Sequence, residues 1–171
     1  MRMNSFSNLW QRMSAFLLDY LILAVYLAIL SAIFFMIPNA SSLFDSRIKA
    51  QIFGFLFVTF PITLYFAISE SSKKQGTWGK SRLSLKVTNR EGNKIGFGNS
   101  LIRSVLKFTP WEISHTLIWE VTFNPDLNPI ILNILLIVVY GLLGANVAGL
   151  LLTKTRQTLY DLVCKTYVIK K

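Results

Sequence analysis

The chain has 171 residues, enough for one domain, yet 53% are hydrophobic, 13 are Phe and only 15% are charged. A water-soluble core of this size cannot hide so much apolar surface, so an ordinary soluble domain is excluded. The net charge of +10 belongs to a basic protein, and its placement beside apolar runs points to a membrane surface rather than to nucleic acid.

Residues 15–37 form an apolar run of 23 with one charge, Asp19, and Arg12 stands just before it. About 20 apolar residues cross the hydrocarbon core as a helix, so the run qualifies as a span. It is too long for a typical signal-peptide core and no small-x-small cleavage site follows, so it is expected to remain as an anchor. Residues 52–68 form a second run, at the short end of the range, with Pro61 inside it; proline is tolerated in membrane helices and is expected to bend this one. Residues 130–152 form a third, with no charge at all.

The basic residues set the expected topology. Segment 1–14 carries Arg2 and Arg12, segment 69–107 carries a net +7, and segment 153–171 a net +4. Sixteen of the 18 basic residues fall in these three segments, which the positive-inside rule assigns to the cytoplasm. A cytoplasmic loop 69–100 and a cytoplasmic tail 153–171 require two crossings after the loop. The missing one must lie at 101–123, a polar segment with Glu112, His115 and Glu120. The expectation is an all-α integral membrane protein, a single domain over 1–171. It is a four-helix transmembrane bundle with spans near 15–37, 52–68, 101–123 and 130–152, and both termini are cytoplasmic. The competing reading makes 101–123 re-entrant or interfacial, with three spans and the tail outside.

Between the second and third spans, Leu83, Leu85 and Val87 alternate with polar residues, as in a half-buried strand. "NREGN" signals a turn, and residues 94–97 are expected to return as a second strand of a small cytoplasmic β-hairpin. Asn99 or Ser100 is expected to cap the next helix. "GTWGKS" lacks the glycine spacing of a phosphate loop. Ala24, Ala28 and Ala32, and Gly141, Ala145 and Gly149, recur every four residues. Such stripes let helices approach closely in lipid, and packing within one chain is favoured over a homo-oligomer.

The chemistry candidates are few. Asp19 lies two helical turns above Arg12, about 10 Å along the axis. A buried carboxylate in a span needs a partner. Two readings are open: a structural hydrogen bond to Arg12, Arg103 or a nearby Ser or Asn, or a proton- or cation-exchanging carboxylate lining a cavity. "WEISH" sets Glu112 and His115 three residues apart on a helix face. With one His and scattered acids, a metal site is not expected. A hydrogen-bonded pair, with His115 as a proton relay, fits better. The sole cysteine, Cys164, excludes an intramolecular disulfide. No nucleophilic triad is present, and neither enzymatic activity nor a cofactor is expected.

"RMSAFLLDYLIL", with an arginine and an aspartate seven residues later, resembles the RDD membrane proteins, named for one arginine and two aspartates. "GTWGKSRLSLKV", "NSLIRSVLKF" and "RQTLYDLVCKTYVI" are similar to later stretches of that family, in the same order. The resemblance maps the arginine to Arg12, the first aspartate to Asp19, and an aspartate of the closing motif to Asp161. Tyr160 stands where histidine often precedes that aspartate, so no role of that histidine carries over. The resemblance implies a small helical protein of the bacterial plasma membrane. Arg12, Asp19 and Asp161 are thus the ion- or proton-coupling candidates, with Glu112, His115 and Arg103 as a secondary polar cluster. The leading functional expectation is ion- or proton-coupled transport. The alternative is a non-catalytic scaffold or regulatory partner of another membrane protein. Expected partners are anionic lipid headgroups at the basic loop and tail, a small cation or proton, and a second copy or another membrane protein; nucleic acid is not among them.

Overall fold

Asn8 opens the first helix through a reciprocal cap. In this computed structural model, which describes residues 6–170, the Asn8 side chain accepts from the Gln11 amide while the Gln11 side chain accepts from that of Asn8. Helix α1 then runs over Leu9–Met36, 28 residues or about 42 Å, and stops before Pro38.

The second long helix begins with α2 (Arg47–Gly54) and ends with α3 (Phe60–Ser71), joined by a wider π-helical turn at Phe55–Thr59. Pro61 explains the turn. It offers no N–H to the Phe57 carbonyl four residues earlier, and that carbonyl instead accepts from the Tyr26 hydroxyl of α1 at 2.5 Å. The distortion expected at Pro61 thus falls in the turn before it and doubles as a contact between helices.

Helix α5 (Phe97–Phe123) spans 27 residues and continues through Pro110. Its N-cap is Gly96, without a side-chain cap, so the expected capping by Asn99 or Ser100 does not occur. Both residues serve tertiary contacts. The Asn99 amide donates to the Cys164 carbonyl at 3.1 Å, and the Ser100 hydroxyl donates to the Ala67 carbonyl at 2.8 Å. Helix α6 (Pro129–Leu152) starts at Asn128, whose side chain accepts from Ile130 N.

Among the described residues, α1, the rod Arg47–Ser71 and α6 are long and apolar enough to cross a membrane. Helix α5 matches them in length but carries Arg103, Lys107, Glu112 and Glu120. It lies between the others, packed on α2, α3 and α6. Its polar side chains therefore meet protein, while the apolar flanks of α1 and α6 stay exposed, as lipid-facing surfaces do. The alanine stripe does not pack within the chain: Ala24, Ala28 and Ala32 are exposed, as are Gly141 and Ala145.

The extended segments differ from the expected hairpin. A short helix α4 (Trp78–Arg82) occupies the start of the loop, capped by Thr77. Leu83 follows it outside any strand and Ser84 takes a left-handed φ of 57°, so strand β1 begins only at Leu85 (Leu85–Thr88). Its partner is not 94–97, which contributes a single bridge from Lys94 to Thr88. The partner is β2 (Tyr167–Lys170), antiparallel, with Val87 opposite Val168. Local alternation identified the strand, but a mate 80 residues away leaves no local signal. Leu85, Val87, Ile95 and Val168 close a small core on Ala15 of α1.

Phe6 bridges Ile169 on the other side of β2, and Ser7 N donates to the Val168 carbonyl at 2.9 Å. The two ends of the described chain therefore meet at one end of the bundle, together with the sheet, α4 and a last helix, α7 (Leu159–Val163).

Candidate functional site: a buried charge network at the sheet end

Asp161 is the hub. Thr158 caps α7, its side chain accepting from Asp161 N, while Asp161 Oδ2 accepts from the Thr158 hydroxyl at 2.8 Å. The same oxygen accepts from Arg12 Nη1 at 2.5 Å. The other, Oδ1, accepts from Arg103 Nη2 and Nε at 2.7 and 2.9 Å and from the Thr166 hydroxyl at 3.0 Å. Burial alone would raise the pKa of this side chain, but Arg103 and Arg12 hold it well below the usual carboxylate range.

Arg103 extends the network. It is 1% exposed, lies across the Tyr160 ring with 4.9 Å to the centroid, and its Nη1 donates to Glu70 Oε2 at the end of α3. Glu70 also receives Lys80 of α4. Burial pushes the Lys80 ammonium down, against the pull of Glu70. Arg12, Asp161, Arg103, Glu70 and Lys80 thus form one continuous chain of ion pairs linking α1, α7, α5, α3 and α4.

Asp19 stands beside this chain rather than in it. Its Oδ2 accepts from the Thr77 hydroxyl at 2.5 Å, and its Oδ1 from Gly79 N at 2.8 Å and the Tyr65 hydroxyl at 3.2 Å. Gly79 is required here, because a Cβ on it would overlap the Ala15 carbonyl oxygen. Neither Arg12 nor Arg103 is its partner. The carboxylate pins α4 onto α1, with three neutral donors filling it.

A second polar cluster lies further along the bundle. Glu112 accepts from Gln51 Nε2 at 2.5 Å and from the Thr59 hydroxyl at 2.6 Å. Among the described residues no cation lies within ion-pair distance of it. The hydrogen bond expected between Glu112 and His115 is absent; His115 packs edge-on to Trp111, 4.8 Å between ring centroids. Arg103, grouped with these two by the sequence reading, belongs to the other cluster. At the far end, Arg47 pairs with Glu120.

The RDD family model matches residues 6–165, nearly the whole chain and every charged residue of both clusters. The chain belongs to the RDD family. No curated protein and no solved structure compared with it gave a match. Of the three residues that the family resemblance singles out, this RDD protein joins two, Arg12 and Asp161, in one ion pair and places the third, Asp19, on a separate set of donors. Sequence reasoning missed Glu70 and Lys80. Glu70 sits two residues beyond an apolar run and reads as an ordinary interfacial acid, and Lys80 stands in "GTWGKS", whose local pattern suggests only an incomplete phosphate loop. Their signal is charge at a helix end that has to be buried.

Proposed function

We propose that this RDD protein is a four-span bundle in the bacterial plasma membrane with both termini cytoplasmic, and that it carries out ion- or proton-coupled transport with Glu112 as the coupling carboxylate. One observation carries the reading. Glu112 is held inside the bundle by two neutral donors and no counter-ion, whereas Glu70 and Asp161 are locked to arginine or lysine and Asp19 is filled by donors that fix helix α4. An ionised acid at the centre of a span costs roughly 2.5–3.5 kcal/mol without a partner, so uptake of a proton or a small cation there is favoured.

Gln51 supplies a means of accepting both states. Its Nε2 donates to the ionised acid, and its Oε1 is buried with no partner. Rotating the amide by half a turn presents that oxygen to a protonated Glu112. The apolar cavity lined by Phe16, Ile62, Phe108 and Trp111 also reaches Thr59, a ligand of Glu112, and gives the site a neighbouring space. In liposomes, the purified protein should move protons or cations down an imposed gradient, and Glu112→Gln should abolish this while leaving the fold intact.

The alternative, a non-catalytic scaffold or regulatory partner of another membrane protein, is favoured by the exposed stripe of Ala24, Ala28 and Ala32, which leaves α1 open to a second helix. Absence of any flux from the purified protein, together with a stable complex that Ala28→Leu disrupts, would select that reading.

A further inference from the structure

A cavity of about 200 Å³ opens at the sheet end between α1 and α6. Its lining carries Arg12, Lys80, Arg103 and Lys107, with Asp19 as the only carboxylate among them. We infer that this cavity is a binding site for the phosphodiester headgroup of an anionic phospholipid, with Lys107 as the residue that holds the phosphate.

The charge count comes first. The four cations meet three buried carboxylates: Asp19, Glu70 and Asp161. Glu70 and Asp161 are engaged with Lys80, Arg103 and Arg12. The basic side chain left unmatched is Lys107, which among the described residues has no carboxylate within ion-pair distance, so an added anion is what would hold it in its charged form there. Its ammonium rests instead on aromatic faces, 3.6 Å from the Phe66 centroid, 5.0 Å from that of Phe16 and 5.3 Å from that of Phe108. A ring face engages the N–H that points at it, and of the three on the ammonium those turned away from Phe66 remain available. A singly charged anion balances the cluster, and a phosphate diester has that charge.

The walls choose the source of the phosphate. Phe16, Phe66 and Leu150 line the same cavity. Its rim includes Met13 and Val147, each 46% exposed, on the apolar flanks of α1 and α6. A soluble phosphate ion gains nothing from such walls, whereas a lipid places its headgroup on Lys107 and its chains along the flanks of α1 and α6. The site is distinct from the exposed lysines of the basic loop, such as Lys73 and Lys74, which attract anionic membranes only through general charge. It is also distinct from Glu112, and its test involves no flux.

The full-length protein, delipidated in a neutral detergent, is titrated with phosphatidylglycerol, phosphatidylcholine or inorganic phosphate while its melting temperature is followed. Phosphatidylglycerol should raise the melting temperature progressively with concentration, and the other two should not. Lys107→Gln should weaken the apparent affinity by about tenfold, the worth of one charge-assisted contact. Val147→Trp, which fills the rim from a lipid-facing position, should lose the response without lowering the starting melting temperature, and carries the test alone where Lys107→Gln fails to fold. An equal rise with phosphatidylcholine or inorganic phosphate, or an unaltered phosphatidylglycerol response in a folded variant, would overturn the assignment.

Discussion

Arg12 and Asp161 lie 149 residues apart in the chain and 2.5 Å apart in the fold. Their ion pair joins the first turn of α1 to the capped turn of α7, and through Arg103 it reaches the ends of α3 and α5. Removing Asp161 leaves two guanidinium groups facing each other in a buried site. Asp161→Asn should therefore destabilise the protein by about 3–5 kcal/mol, and the double variant with Arg12→Met should cost clearly less than the sum of the two single changes. Unfolding of the four proteins in detergent measures the cycle, and strict additivity would show that the pair is not coupled.

Acid should act through the same residue. The pKa of folded Asp161 is depressed, so its contribution is present above the unfolded value of about 3.9 and is lost as pH falls below it. Melting temperature should drop steeply below about pH 4 and the Asp161→Asn variant should have a shallower profile. Parallel profiles for the two proteins would assign the acid sensitivity to other groups.

Asp19 and Gly79 form a separate unit. Asp19→Asn should weaken the fold by about 1–3 kcal/mol, since an amide cannot serve all three donors as a carboxylate does. Combined with Arg12→Gln, the effect should be additive to within about 0.5 kcal/mol, because the two residues share no partner. Gly79→Ala should lower stability by at least about 2 kcal/mol through overlap with α1. Gly141→Ala, where nothing lies near an added Cβ, should stay within about 1 kcal/mol of the parent. Similar losses at both glycines would remove the close approach at Gly79 as the cause.

The orientation is testable with cysteines placed on opposite ends in a Cys164→Ser background. Glu91 and Asp126 are both exposed. A cysteine at 126 should react with an impermeant reagent in intact cells, and one at 91 only after the membrane is opened. The reverse pattern would invert the bundle.

Much of this architecture is legible in the sequence because the bilayer imposes it. Apolar runs fix α1, the Arg47–Ser71 rod and α6, and charge placement demanded one more long helix where hydropathy alone argues against it; α5 occupies that position. The contacts that complete the site were not legible in the same way. Asp19 has no partner within its own helix face, and its donors Thr77 and Gly79 lie in a loop whose period suggested only a strand. The pairing of Arg103 with Glu70 and Asp161 joins three segments that carry no mutual spacing. Charge neutralisation requires that buried cations find acids, but it does not say which acid each one finds. The family resemblance named Arg12 and Asp161 without the ion pair between them, which only the meeting of the two chain ends creates.

The central functional claim is that Glu112, not Asp19, exchanges the proton or cation. It is tested by loading liposomes with a pH-sensitive dye, reconstituting the full-length protein, and imposing a proton gradient and then a sodium or potassium gradient. Flux is expected with the parent protein, loss of flux with folded Glu112→Gln, and flux retained by Asp19→Asn in proportion to the folded protein recovered. No flux from the parent protein, or undiminished flux with Glu112→Gln, would contradict it.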